Sequence, residues 1–162
     1  MKMDKLGVLA IVGAMVWLAI VSASAGRPPA QGTQADMPHS HILGVPAYHK
    51  NAPKGPLPDT MDPKQFPDPV NQNVYALAAR IKKVLYEQPC YCMCDREYGH
   101  ASLLDCYVGN HASVCSTCRM EAVYAYEQSR RGKSAAEIRK GIIDGEWKKV
   151  DMRPYILPGA SR

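Results

Sequence analysis

The residues best suited to chemistry in this chain are six cysteines, all of which lie between residues 90 and 118. Three of them alternate in the segment PCYCMC, residues 89–94, and the last two form the pair CSTC, residues 115–118. Thiolates are ligands for soft metal ions and nucleophiles in disulfide exchange. The candidate metal ligands are Cys90, Cys92, Cys94, Cys106, Cys115 and Cys118, with His100 and His111 as additional candidates.

The spacing of these cysteines favours copper over zinc. Alternate side chains of an extended segment point the same way, so Cys90, Cys92 and Cys94 are predicted to present three thiols on one edge. Such an edge suits Cu(I), whose natural protein ligands are Cys and Met. Structural zinc sites usually combine two ligand pairs, each spaced as C-x2–4-C or H-x3–5-H. Only CSTC has the C-x2-C spacing in this chain. Cu(I) is the first expectation and Zn(II) the second. Haem attachment through C-x-x-C-H is not expected, because Arg119 occupies the histidine position.

Two other interpretations of the cysteines remain open. Cys115 and Cys118 lie at a predicted helix start, where a thiol pKa is lowered, so they could form a redox pair for thiol–disulfide exchange. Six cysteines in an exported domain could instead form three disulfides, each worth about 3 kcal/mol for a loop of ~15 residues. Three cysteines within five residues are poorly spaced for separate disulfides. The three interpretations predict different thiol states. Metal binding requires reduced thiols, and redox exchange requires one pair that is oxidised and reduced reversibly. Structural disulfides would leave no free thiol.

Other function classes are excluded by the absence of their motifs. The sequence has no nucleophile–His–Asp arrangement, no paired carboxylates in a cleft pattern and no phosphate-binding glycine loop. No bond-making reaction is therefore expected, and an enzymatic role would be that of a thiol–disulfide oxidoreductase. The formal charge of +5 is modest and its basic residues are interleaved with acids, so nucleic acid is not an expected partner. The expected partners are a metal donor or acceptor, or a thiol protein.

Residues 1–25 have the pattern of an export signal or an N-terminal membrane anchor. Lys2 and Lys5 precede an apolar run, and Ala23 and Ala25 form the small-x-small pattern that signal peptidase accepts. If the segment is retained, membrane contact is expected only through residues 6–25. In both cases the rest of the chain is predicted to be extracytoplasmic, on the periplasmic or cell-surface side, where disulfides are permitted.

Residues 26–69 contain ten of the thirteen prolines. Because proline fixes φ and donates no backbone hydrogen bond, this segment is predicted to be an extended tether that holds a domain away from the membrane or wraps over it. His39, His41 and His49 lie in it and are expected to be solvated. Residues 70–155 are predicted to form the Cys-rich helical domain, and residues 156–162 a tail.

The domain is predicted to be all-α, with three helices and a long Cys-rich connection. Apolar residues at three- and four-residue steps predict a first helix over residues 70–87, capped by Asn71 or Asn73. A second helix is predicted over residues 113–130, with Cys115 and Cys118 on one face. The third begins at Ser134, whose capping box with Glu137 is a helix-start signature. Its expected buried residues are Ile138, Ile142 and Trp147.

The first two helices are expected to pair, because adjacent elements usually do. Pairing would bring the cysteines of PCYCMC and those of CSTC to the same end of the bundle. The connection between them is long for a compact domain, and such connections are usually functional or held down. Cys106 is placed to hold this one, so all the cysteines are predicted to cluster.

The motif PCYCMC, with DCYV and CSTC downstream, resembles the bacterial family named for its PCYCGC motif, also called the CYCXC family. The resemblance covers residues 57–147 and implies an exported or membrane-tethered protein. The family's name allows selenocysteine in some members, which implies redox or soft-metal chemistry. Met93 stands where the commoner motif has glycine. A shorter resemblance, over residues 115–147, is to the C-x-x-C helical hairpin of cytochrome c maturation thiol proteins, and it implies that Cys115 and Cys118 exchange with a partner's disulfide.

Overall fold

The computed structural model describes residues 44–159, and every regular element in this range is a helix. The seven α-helices are α1 Pro69–Arg80, α2 Lys82–Tyr86, α3 Cys94–Glu97, α4 Asp105–Val108, α5 His111–Val114, α6 Ser116–Arg130 and α7 Ala135–Ile143. Short 3-10 helices span Pro63–Gln65, Glu146–Lys149 and Arg153–Tyr155. The all-α prediction is confirmed, since three longer helices carry the fold and four short ones occupy the connections.

Some predictions fall outside the described residues. They are the export signal or anchor over residues 1–25, the first part of the tether with His39 and His41, and the last three residues of the tail. Within residues 44–159, no helix is long and apolar enough to cross a bilayer.

The first predicted helix is divided in two at Ile81, whose backbone leaves the helical region with φ −118° and ψ 28°. Pro69 occupies the first turn of α1, where the missing amide proton removes no helical hydrogen bond. Asp68 precedes it as the N-cap, and its carboxylate accepts a hydrogen bond of 2.8 Å from the Asn71 amide. The prediction that Asn71 or Asn73 caps this helix was therefore wrong.

The second predicted helix begins three residues later than expected. Residues His111–Val114 form the separate helix α5, and α6 begins at Ser116. Cys115 lies between them with an extended backbone, φ −113° and ψ 110°. Because Cys115 lies outside the helix, the prediction that it shares a face of α6 with Cys118 was wrong.

The third predicted helix is confirmed at its start and on its buried face. Ser134 is the N-cap of α7, and both hydrogen bonds of the capping box with Glu137 are present. Ile138 and Ile142 are fully buried, and Trp147 is buried in the 3-10 helix that follows. The local signature therefore fixes where the chain reverses after α6.

The core lies between α6 and the helices that contact it. Both α1 and α2 pack against α6, and α7 also contacts α6. The expected pairing of the first two long helices is therefore present. The fully buried apolar residues of α1 and α6 are Val74, Tyr75, Leu77, Ala78, Cys118, Ala122, Val123 and Ala125.

Hydrogen bonds from buried side chains fasten the long connection to this core. The Asn71 side-chain amide donates to the Ser113 carbonyl at 3.0 Å. The Tyr75 hydroxyl donates to the Gly109 carbonyl at 2.9 Å. Buried polar groups need partners, so these bonds fix both the α4–α5 corner and helix α5.

The described part of the proline-rich segment lies against the same domain. Phe66 is buried in the core and packs on the ring of Tyr75. The Met61 amide donates to the Tyr107 carbonyl at 2.9 Å. Closer to the N-terminus, the Ala47 amide donates to a carboxylate oxygen of Asp95 at 2.9 Å. Residues 44–68 thus cover the helices as an ordered wrap.

Candidate metal centre

Five of the six cysteines converge at one end of the domain, together with two histidines. They come from two turns, three short helices and the first turn of α6. Cys90 and Cys92 lie in the turn after α2, Cys94 begins α3, His100 follows α3, Cys106 lies on α4, His111 begins α5, and Cys118 lies in the first turn of α6. The short helices α3, α4 and α5 of the connection each contribute one of these side chains.

The segment that carries the first three cysteines is a turn, so the prediction of an extended segment was wrong. The Met93 amide donates to the Cys90 carbonyl at 3.2 Å. Met93 adopts the left-handed conformation, with φ 61° and ψ 26°, and it is the only non-glycine residue with positive φ among residues 44–159. This turn brings Cys90 and Cys92 together and directs the chain into α3, so that the thiols converge by folding back.

The sulfur atoms are close enough to share one ligand environment. Cys90 Sγ lies 3.3 Å from Cys92 Sγ and 3.4 Å from Cys118 Sγ. Cys94 Sγ lies 3.3 Å from Cys106 Sγ, and Cys118 Sγ lies 3.5 Å from Cys92 Sγ. A disulfide bond is about 2.05 Å long, and all six cysteines are free thiols. Tetrahedral zinc with Zn–S bonds of about 2.3 Å separates its sulfurs by roughly 3.8 Å, so small adjustments would admit an ion.

Two groups of four ligand atoms have geometry that could hold a metal ion. The first is Cys90, Cys92, Cys94 and Cys106, and the second is Cys92, Cys106, His111 and Cys118. Within each group all four ligand atoms lie within 4.8 Å of one another. The two groups have Cys92 and Cys106 in common.

The histidines contact the thiols directly. His111 Nε2 lies 3.4 Å from Cys92 Sγ, and His100 Nδ1 lies 3.3 Å from Cys106 Sγ. The two imidazoles also pack edge to face, and Tyr98 contacts both rings. Burial lowers the pKa of His100, which favours the neutral ring that a metal ion requires.

The candidate ligand His100 belongs to neither group, and Cys115 is the one cysteine that both groups omit. It is half-buried, and the break between α5 and α6 separates its backbone from the first turn that holds Cys118. The two sulfurs nearest to Cys118 at 3.4–3.5 Å belong to Cys90 and Cys92. Neither ligand group therefore contains both cysteines of the C-x-x-C pair.

The centre is buried on most sides and reaches solvent along one edge. Cys90 and Cys94 are 2% exposed, and Cys106 and Cys118 are fully buried. Cys92, His100 and His111 are partly exposed and form what we call the open edge. Tyr98, 63% exposed, stands beside this edge.

Hydrogen bonding within the cluster makes its thiols unequal. Hydrogen bonds from Cys106 and then from Cys118 lower the pKa of Cys92 well below the usual thiol value. Hydrogen bonding with Cys118 and then with Cys90 raises the pKa of Cys106. Cys92 is accordingly the sulfur in the cluster best placed to carry negative charge, and a thiol has to lose its proton to bind a metal ion.

Two residues that the sequence prediction missed position the ligands. Glu121 is fully buried and lies three residues after Cys118, on the same face of α6. Its Oε1 accepts a hydrogen bond of 2.8 Å from the Tyr91 amide, while Oε2 is buried without a hydrogen-bond partner. Burial raises the pKa of Glu121 to about 8. The Tyr107 hydroxyl donates to the Cys118 carbonyl at 2.9 Å. An acidic residue on an otherwise apolar helix face, one turn from a cysteine, was the available signal.

Comparison with known proteins identifies the family. A family described as a protein of unknown function with a PCYCGC motif matches residues 14–158. The chain belongs to the PCYCGC-motif family. Met93, with its left-handed backbone, occupies the position of the motif's glycine, which explains why a residue without a side chain suits that position. No curated protein and no solved structure matches the chain.

Proposed function

We propose that this member of the PCYCGC-motif family is an exported protein that binds Cu(I), for sequestration or for delivery to a partner. The observation that carries the proposal is the presence of two overlapping groups of thiol and imidazole ligands within 4.8 Å. Thiolates are the ligands that soft ions select, and Cu(I) is the ion best matched to a site dominated by them. Zn(II) is the second choice, since each group also offers the four ligands that a structural zinc site uses.

Burial supports a holding role. Cys90, Cys94, Cys106 and Cys118 are almost inaccessible to water, so ligands bound to an ion there would be exchanged slowly. The open edge supports release, because an acceptor's ligand could reach an ion beside Cys92 and His111 without unfolding the domain. A site closed on all sides would favour storage alone.

The experiment that tests this proposal is metal and thiol analysis of native protein purified without chelator or reductant. Plasma mass spectrometry would quantify the metals, and free thiols would be titrated in the same denatured sample. Copper at one equivalent or more with at least four titratable thiols is the expected result. Zinc alone would overturn the choice of copper. Absence of both metal and free thiols would overturn the metal proposal and favour structural disulfides.

The chain provides a matched pair of variants for the same test. Cys92→Ala removes a ligand common to both groups, whereas Cys115→Ala removes a cysteine that belongs to neither. We expect Cys92→Ala to lose most copper uptake and Cys115→Ala to retain it. Equal losses in both variants would show that uptake depends on cysteine number rather than on this centre.

Thiol–disulfide exchange is the second candidate, and the 3.4 Å separation of Cys90 and Cys118 sulfurs favours it. Two thiols would lose two electrons and two protons to form a disulfide, while a partner's disulfide would become two thiols. Exchange through Cys115 and Cys118 would fail in Cys115→Ala, whereas exchange through Cys90 and Cys118 would survive. Peptide mapping after equilibration with glutathione disulfide would identify the bonded pair.

A further inference from the structure

The most informative feature of the cluster is the overlap between its two ligand groups. Together the groups contain six ligand atoms, of which four belong to only one group. Cys90 and Cys94 occur only in the first group, and His111 and Cys118 only in the second. Neither group contains both Cys94 and His111, whereas Cys90 and Cys118, which belong to different groups, have sulfurs 3.4 Å apart.

One ion does not account for this ligand set. A structural zinc ion takes four ligands, and Cu(I) bound by thiolates takes no more. A single ion at either position would therefore leave two soft ligands of the other group unused in a buried place.

The common residues are of the right type to join two ions. A thiolate sulfur has more than one lone pair and can bridge two soft cations, whereas imidazole nitrogen cannot. Both common residues, Cys92 and Cys106, are cysteines, and the only imidazole in the two groups is a ligand of one group alone. The terminal and bridging positions therefore match what each side chain can do.

Charge also favours two ions over one. Five thiolates around one Cu(I) or one Zn(II) would leave several negative charges in a site with four nearly inaccessible sulfurs. Uncompensated buried charge is strongly unfavourable. With one ion, some thiols must keep their protons, and a second ion replaces those protons with a compensating charge.

We propose that this centre is dinuclear, with two metal ions joined by the thiolates of Cys92 and Cys106. Cys90 and Cys94 complete the ligands of the first ion, and Cys118 and His111 complete those of the second. His100, whose Nδ1 lies 3.3 Å from Cys106 Sγ, contacts a bridging sulfur from outside. This inference rests on the proposed metal-binding function and adds the number of ions and their arrangement.

The test is a Cu(I) titration of the fully reduced full-length protein under anaerobic conditions with a competing Cu(I) chelator. We expect saturation at two equivalents and a metal–metal scattering contribution in the X-ray absorption spectrum. Saturation at one equivalent, or at three or more, would overturn the dinuclear centre while leaving Cu(I) binding intact. No uptake against the chelator would overturn the proposed function itself, so the two failures are distinguishable.

Variants of the terminal ligands test the assignment of each ion. Cys94→Ala affects only the first group and His111→Ala only the second, so each is expected to retain one equivalent and to lose the metal–metal contribution. Cys115→Ala is the matched control and is expected to retain two equivalents. Circular dichroism would verify that each variant is folded. If either terminal variant misfolds, the wild-type stoichiometry and absorption spectrum still decide the proposal.

Discussion

Single residues determine how the cysteine motif turns. Met93 is held at φ 61°, a conformation that costs an L-residue roughly 1–2 kcal/mol. Glycine adopts it freely but gives up more chain entropy on folding, by about 0.5–1 kcal/mol. The motif's glycine position is therefore explained by backbone geometry, independently of any contact made by the side chain.

We expect Met93→Gly to stabilise the metal-free protein by about 0.5–1 kcal/mol, because relief of backbone strain exceeds the added entropy cost. Urea unfolding of the reduced protein measures the change. Met93→Ala is the control, since it shortens the side chain but keeps the strain. Stabilisation by alanine equal to that by glycine would contradict the backbone explanation.

Glu121 also stabilises this turn, because its Oε1 accepts a hydrogen bond from the Tyr91 amide. We expect Glu121→Ala to destabilise the protein by about 1–3 kcal/mol, since the amide loses its acceptor in a buried place. Glu121→Gln retains an acceptor oxygen and is expected to lose less. Chemical denaturation of both variants would test this difference, and identical losses would show that the side-chain volume matters rather than the hydrogen bond.

At the scale of elements, local signals were readable from the sequence and non-local ones were not. The α7 start was predicted because Ser134 and Glu137 cap the helix through contacts within one turn. The interruption at Cys115 was not, because the apolar periodicity continues through it and the break depends on how α5 packs against α6. The convergence of the cysteines could be predicted from helix pairing. The turn at Met93 could not, because methionine rarely adopts a positive φ.

In helix α7, the side chains of Tyr124 and Glu146 lie close to Gly141, a contact that the sequence did not predict. A Cβ added at Gly141 would lie 1.9 Å from the Tyr124 hydroxyl oxygen and 2.8 Å from Glu146 Oε2. Alanine is otherwise the better helix former, by about 1 kcal/mol. Gly141 therefore permits the hydrogen bond from Tyr124 to Glu146 that joins α6 to the segment after α7.

We expect Gly141→Ala to destabilise the protein by about 1–3 kcal/mol, because the buried Tyr124 ring must shift. Thermal unfolding monitored by circular dichroism gives the measurement. Adding Tyr124→Phe removes the closest atom and should restore part of the loss. A single variant as stable as the wild type would show that the ring moves without cost.

For the whole molecule, the candidate metal centre draws its side chains from most of the helical elements. The ligands come from the turn after α2, from α3, α4 and α5, and from α6, so binding an ion joins segments that are distant along the chain. A domain of this size buries limited apolar surface and usually needs additional cross-links. Bound metal is expected to supply them.

Removing the metal should therefore lower the thermal midpoint by several degrees. Free metal at 100 times its dissociation constant adds about 2.7 kcal/mol to the free energy of unfolding. The increment should shrink as the pH falls, because ligand thiols must lose protons to bind. Calorimetry of copper-loaded and chelator-treated protein at two pH values tests both statements, and Cys115→Ala should behave as the wild type does.

The open edge also predicts that the two proposed ions exchange at different rates. The proposed ion at Cys118 and His111 lies on the side of the partly exposed imidazole, whereas the ion at Cys90 and Cys94 has both terminal ligands in the interior. An incoming ligand therefore reaches the two ions with unequal ease. Isotopically labelled copper should exchange in two phases of equal amplitude, so that one ion is a labile cargo and the other a long-lived resident.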